Sequence, residues 1–195
     1  VLRQPLEDRV VTISRAKFSV TYPASFMLIA AMNPCPCGYY NHPEKDCVCG
    51  PGIVQKYLNK ISGPLLDRID IHVEVVPVPF RELTSLRQSE KSTAIRERVT
   101  RARLVQEERY KDNKNIHCNA QMNTKMLRQI CIITEEGHNL LKTAMEKLSL
   151  SARAYDRILK VSRTIADLDN SPDIKTEHLA EAIHYRSLDR ETWGG

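Results

Sequence analysis

Glycine is scarce in this chain and never stands before lysine. The seven glycines precede Tyr39, Pro51, Ile53, Pro64, His138 and Gly195, or close the chain. A nucleotide-cradling P-loop needs a glycine-rich turn ending Gly-Lys-Ser/Thr, so that backbone amides and the lysine surround the phosphates. No apolar run ends in an Asp-Glu pair either, so the carboxylates that would hold magnesium and activate water are missing too. These residues are therefore expected not to hydrolyse ATP by themselves. Long apolar runs are also lacking. The longest, Phe26 to Met32, is far short of the ~20 residues that cross a bilayer. No charged-then-apolar leader opens the sequence, and the expectation is a soluble cytoplasmic protein without a membrane partner. The chain starts at Val1 without methionine and reads as a piece of a longer polypeptide.

What is present is enough to fold. A hydrophobic content of 42% over 195 residues suits one large domain or two small ones. The formal charge of +5 permits contact with nucleic acid without demanding it. Much of the excess lies between Arg81 and Lys114, where ten Lys and Arg face six acidic residues. That segment reads either as a solvated helix with i,i+4 pairs such as Glu97 and Arg101, or as a nucleic-acid face.

Two kinds of sequence follow one another. Residues 1–79 carry strand-like runs at Val10–Ile13, Phe26–Ala31 and Ile69–Val75, with loops rich in Pro, Gly and Cys. The unbroken apolar character of Phe26–Ala31 suits a strand buried on both faces of a parallel sheet. A helix is expected over Ile53–Ile61, ahead of the Gly63-Pro64 break. Pro77 and Pro79 end the last strand and form a short linker. Residues 80–195 read as helices throughout, with apolar residues three and four apart over Lys91–Tyr110, Thr124–Cys131, Thr134–Lys147, Ala152–Leu168 and Lys175–Tyr185. Asn123 and either Ser149 or Ser151 are placed to cap two of them.

Within the first part, Cys35-Pro36-Cys37-Gly38 and Cys47-Val48-Cys49-Gly50 make two matched Cys-x-Cys-Gly units on either side of His42. Four thiolates can close a tetrahedral zinc site, and the glycines suit tight turns behind each pair. Free thiols are the plainer alternative, because disulfides are not expected in a reducing cytosol. Asn33, followed by Pro34, ends the apolar run, where open α/β sheets place ligand-contacting groups; an Asn-Pro turn is the simpler account. In Gly63-Pro64-Leu65-Leu66-Asp67-Arg68-Ile69-Asp70, Arg68 sits between an apolar helix and an apolar strand. Its guanidinium suits a phosphoryl oxygen, or an ordinary ion pair with Asp67 or Asp70.

Taken in order, these features resemble the AAA+ ATPases of the magnesium-chelatase type, and within them the magnesium-chelatase-like ComM/YifB group, over essentially the whole chain. The resemblance is carried by Arg3-Gln4-Pro5-Leu6-Glu7-Asp8 continuing to Val11-Thr12-Ile13-Ser14-Arg15-Ala16, with Arg9 where that group is expected to have glycine. It is carried further by the Asn33-to-Gly38 segment with Cys47 and Cys49, by Ile61 to Asp70, and by Ser151-Ala152-Arg153-Ala154-Tyr155-Asp156-Arg157-Ile158-Leu159 followed by Arg163 to Leu168.

The resemblance implies a partial α/β AAA+ core over residues 1–79, with a cysteine insertion at 33–50, followed by an all-α helical lid over 80–195. It implies Asn33 as first sensor, Arg68 as an arginine finger acting on a neighbouring subunit, and Arg153 as second sensor. Arg157 is the competing arginine on the same helix; a pair with Asp156 or Asp167 is the structural alternative for Arg153. ATP and magnesium would be bound by the full-length protein, assembled as a ring, with a hexamer expected. The relatives imply a DNA-remodelling motor of branch-migration type, in transformation and recombination, or a subunit that drives metal insertion into a porphyrin. A competing reading from another class is a non-catalytic zinc-ribbon module that binds nucleic acid or protein.

Overall fold

A computed structural model describes residues 2–78 and 89–186. Pro79, Arg81 and Arg87, on which the linker and part of the basic segment rest, lie outside the described residues. The chain divides into two compact units, one running to Ile69 and the other starting at Asp70.

The first unit opens with helix α1 (Arg3–Asp8). Arg9 ends it in the left-handed conformation at φ 58°, its amide donating to the Pro5 carbonyl at 3.1 Å. Glycine, which the resemblance leads one to expect there, adopts that conformation without the Cβ clash an L side chain meets. The chain then forms an antiparallel hairpin, β1 (Val10–Arg15) with β2 (Phe18–Pro23), in register from Val10 opposite Pro23 to Arg15 opposite Phe18. Side chains alternate across a strand, so Thr12 meets Thr21 at 3.1 Å and Ser14 meets Ser19 at 3.0 Å on one face. Ile13, Val20 and Tyr22 occupy the other face and are exposed.

The parallel-sheet strand expected at Phe26–Ala31 and the strand expected at Ile69–Val75 do not form. Both stretches are without regular secondary structure, and Met27, Ile29 and Val75 are 82%, 82% and 87% exposed. The physical reason is pairing: a strand buried on both faces needs neighbours for its amides and carbonyls. Among the described residues the hairpin is the only sheet. A short helix α2 (Pro51–Leu58) follows the cysteine loop, starting two residues earlier and ending three earlier than expected. Pro51 sits in its first turn, where a missing N–H costs nothing. Its buried Val54 and Leu58 pack against Cys35. One turn of helix, α3 (Gly63–Leu66), then buries Leu66.

The second unit is helical, as the periodicity predicts: α4 (Ser92–Tyr110), a 3-10 turn (Asn119–Gln121), α5 (Thr124–Ile130), α6 (Glu135–Lys147), α7 (Ala152–Leu168) and α8 (Thr176–His184). The expected caps are there. Asn123 accepts from the Met126 amide at 3.0 Å and Ser151 from the Ala154 amide at 3.3 Å. Thr134 caps α6 by accepting from Gly137 at 3.2 Å. Gly137 also lets α6 and α8 approach, since a Cβ there would lie 2.8 Å from a methyl of fully buried Leu179. The core gathers Leu127, Leu141, Ile158, Leu159, Ile174 and Leu179, each worth roughly 1.5–3 kcal/mol when fully buried.

Candidate functional site

The cysteine loop folds into one cluster. The Sγ atoms of Cys35, Cys37, Cys47 and Cys49 lie within 4.8 Å of one another, with Cys35 to Cys37 at 3.3 Å, Cys35 to Cys47 at 3.6 Å and Cys37 to Cys47 at 3.5 Å. Four sulfurs around a zinc ion at the usual ~2.3 Å would stand about 3.8 Å apart, so the cage has the right size. Gly38, at φ 83°, makes the first knuckle's tight turn, its amide donating to the Cys35 carbonyl at 3.0 Å. Gly50 is different: its backbone is extended and it precedes α2 as the N-cap. Cys35 is fully buried. His42 is not a fifth candidate, because its Nδ1 accepts the Glu44 and Lys45 amides at 3.0 and 3.1 Å.

The thiols do not ionise alike. The Cys37 thiol is drawn down to about 6, first by the backbone at Tyr39 and then, against desolvation, by Cys35. Cys47 is pushed up to about 12. Its backbone contact with Cys49 pulls the other way, and desolvation with the neighbouring Cys37 and Cys35 sulfurs outweighs it. Cys49 is also raised, its backbone contact with Cys37 being overcome by desolvation and by Cys37 and Cys35. Opposed shifts on neighbouring sulfurs reflect their crowding, and a divalent metal held by the four would favour the thiolate form of each.

A second acidic group, Asp169, Glu177 and His178, is built otherwise. The Lys175 ammonium stands 3.3 Å from Glu177 and 3.7 Å from Asp169, and His178 Nδ1 accepts the Lys175 amide at 3.1 Å. It is the capped start of α8, already served by its own cation.

Arg68 does not pair as the sequence suggests. Its Nε donates to Glu7 Oε2 at 2.9 Å, its Nη2 also reaches Glu7 Oε2, and its Nη1 donates to the Pro64 carbonyl at 2.5 Å. Glu7 is on α1 and Pro64 on α3. The Arg68 side chain is only 10% exposed. Asp70, offered as its partner by proximity, instead pairs with Arg157. Asn33 is exposed and stands two residues before Cys35, outside any strand.

Arg153 and Arg157 lie one turn apart on α7. Arg153 is exposed, whereas the Arg157 side chain is 20% exposed. Asp167, a possible partner of Arg153 by sequence, belongs to another set. Its fully buried carboxylate takes Arg109 at 2.7 and 2.5 Å, Arg163 at 3.1 Å and Asn119 Nδ2 at 2.8 Å. The Asn119 Oδ1 in turn accepts from Tyr110 at 2.8 Å and Arg109 at 2.9 Å. Arg163 also donates to the Ser171 and Pro172 carbonyls at 2.6 and 2.7 Å. Burial pushes Tyr110 up to about 12, and the Asp167 carboxylate, with burial opposing it, holds Arg109 above its usual range. Glu7 carries no local signal in sequence, its partner Arg68 being 61 residues away. In the network the Arg163–Asp167 pair is an i,i+4 spacing open to a reading of the sequence, whereas Arg109 and Asn119 lie 58 and 48 residues from Asp167.

The basic α4 offers no single charged face. Arg96 and Arg103 share one side by their seven-residue spacing, while Arg98 and Arg101 point elsewhere around the helix. Arg98 pairs with Glu90 at 2.8 and 3.3 Å. Among the described residues, no helix is long and apolar enough to cross a membrane.

The chain, with its cysteine loop and Gly-Pro-Leu-Leu-Asp-Arg turn in one unit and the capped helices carrying Arg153 and Arg157 in the other, matches two family models. Residues 1–83 match magnesium chelatase, subunit ChlI, and residues 89–186 match the ChlI C-terminal region. The chain belongs to this magnesium-chelatase-like family of AAA+ ATPases. It is 43% identical over 190 residues to the competence protein ComM of Haemophilus influenzae, and 40% identical over 190 residues to YifB of Escherichia coli. A Mycobacterium bovis protein, Mb2921c, is 33% identical over 185 residues. Each alignment covers 95% or more of this chain, yet the chain spans about 36% of the length of those relatives.

Proposed function

We propose that this chain is the sensor, finger and lid part of a ring-forming AAA+ ATPase, a hexamer, that handles DNA in transformation and recombination as a branch-migrating motor. The observation that carries the reading is the family match over both parts of the chain. In this reading the division falls at residue 79, with a partial core before it and the lid after it. Asn33 orients the attacking water at the terminal phosphate. Arg68 reaches the nucleotide of a neighbouring subunit, a contribution that raises phosphoryl transfer by ~10³–10⁵ elsewhere. Arg153, with Arg157 one turn below it, answers the triphosphate from the lid. ATP and magnesium are held by residues outside these 195, and the protein works in the cytoplasm. Cys35, Cys37, Cys47 and Cys49 hold a structural zinc ion, supported by the size of the sulfur cage. The competence protein among the relatives favours DNA over metal insertion into a porphyrin, which is what the family's name describes.

Mixed rings of the full-length protein test the finger. Subunits carrying Arg68→Ala and subunits with a disabled phosphate-binding lysine should each be nearly inactive alone and recover ATPase activity on mixing. Arg68→Ala rings with unchanged turnover at saturating subunit concentration would remove Arg68 from the chemistry. One observation favours a second reading, a non-catalytic zinc-ribbon-like binding module: Arg68 is tied inside its own unit by Glu7 and Pro64. In that case the substitution would lower stability and leave turnover unchanged.

A further inference from the structure

All three nitrogens of the Arg68 guanidinium are occupied: Nε and Nη2 by one oxygen of Glu7, Nη1 by the carbonyl of Pro64. A guanidinium recognises a phosphoryl group through that same fork of donors. Arg68 therefore cannot present its Nε/Nη2 edge to a phosphate while Glu7 holds it. The two partners differ in reach. Arg68 is 10% exposed and Glu7 39% exposed, so the acidic half of the pair is the half that water reaches. Water can take over the hydrogen bonds of a partly hydrated carboxylate that gives up its partner.

The ground around the pair is built to survive the exchange. α1, which carries Glu7, has a separate tether to the same segment, because Arg3 Nη2 donates to Ser62 Oγ at 3.2 Å, just ahead of α3. The Pro64 carbonyl, four residues before Arg68, is a local partner that moves with it. Losing the Glu7 contact leaves α1 and the start of α3 still joined and leaves Arg68 oriented by its own turn.

Resting on the finger reading above, we infer that Glu7 is a positioning residue that latches Arg68. The carboxylate occupies the donor edge until phosphoryl oxygens of a nucleoside triphosphate on a neighbouring copy of the protein displace it. Glu7 mimics the phosphate it gives way to, and a subunit without a neighbour keeps its finger folded against α1.

Steady-state ATPase measurements on the full-length protein at saturating subunit concentration test this, with Glu7→Gln, Glu7→Asp, Arg68→Gln and the Glu7→Gln/Arg68→Gln pair, each checked by thermal melting. The expected pattern is a strong fall in kcat for Arg68→Gln, a several-fold rise in kcat at unchanged KM for Glu7→Gln, and near-normal turnover for Glu7→Asp. The Glu7→Gln gain should vanish when Arg68 is also Gln. If Arg68→Gln cuts kcat while Glu7→Gln leaves it unchanged or lowers it, the latch is wrong and the finger stands. If Glu7→Gln lowers the melting temperature and kcat together, the pair is a structural tie and the latch is likewise overturned. If Arg68→Gln leaves kcat intact, the finger reading falls and the latch falls with it.

Discussion

The two units hold themselves together in opposite ways. The second encloses an apolar core drawn from five helices, and its fully buried Asp167 carboxylate accepts from Arg109, Arg163 and Asn119. The first buries little beyond Cys35, Val54, Leu58 and Leu66, and leaves Phe26, Met27, Ile29 and both faces of its hairpin exposed. A core of that size does not hold a loop as long as 33–50 by burial alone. Where apolar area is short, a small domain leans on metal or on neighbours, and the first unit has the sulfur cage for one and the bare apolar segment for the other. The lesson is that the second unit is held by what it encloses, whereas the first encloses little of its own.

The sharpest way to break that contrast is to strip metal. Protein prepared under reducing conditions should carry one zinc ion per chain, and a strong chelator should release it and expose all four loop thiols to a colorimetric reagent. The helical circular-dichroism signal, which comes mostly from the second unit, should barely change. Structural zinc contributes on the order of 10 kcal/mol in small peptide sites, so the loop and α2 should lose protection from proteolysis altogether. The next largest effect belongs to the other unit. Asp167→Ala leaves Arg109 and Arg163 without their shared counter-ion and should cost about 3–5 kcal/mol, read as a lowered melting midpoint of the helical signal with zinc content unchanged. The smallest is at Arg9. Arg9→Gly relieves a left-handed residue at the end of α1, offset by the greater freedom of glycine when unfolded. The expected result is a gain below about 1 kcal/mol, confined to proteolytic protection of the first unit.

The contrast also explains what could be read from the residues. Helices of the second unit were legible to within a residue or so, because periodicity and caps such as Asn123 and Ser151 are local properties. The cysteine cage was legible for the same reason: its spacing is local. Strand β2 was missed although Phe18-Ser19-Val20-Thr21-Tyr22 alternates apolar and hydroxyl residues as a strand should. The strands at Phe26–Ala31 and Ile69–Val75 are expected from composition, but a strand is a relation between segments, and among the described residues the only pairing is within the hairpin. Ion pairing failed most plainly. Arg68 was offered Asp67 and Asp70 and took Glu7, 61 residues away; Arg157 took Asp70, 87 residues away. Charge complementarity is set by the fold, so neighbours in sequence are poor guides to it.

Helix α4 carries a mechanical consequence. Its 19 residues span about 28 Å, yet every residue from Ser92 to Arg101 is exposed and only Ala102, Gln106 and Tyr110 are buried. Among the described residues the far half of the rod is exposed throughout, while its near end is clamped through Arg109 and Tyr110 to Asn119 and Asp167. Such a member is a cantilever. A sideways load near Lys91 is felt as torque at the Arg109–Asp167 clamp, and amide exchange along the helix should slow step by step from its free end towards that fixed root.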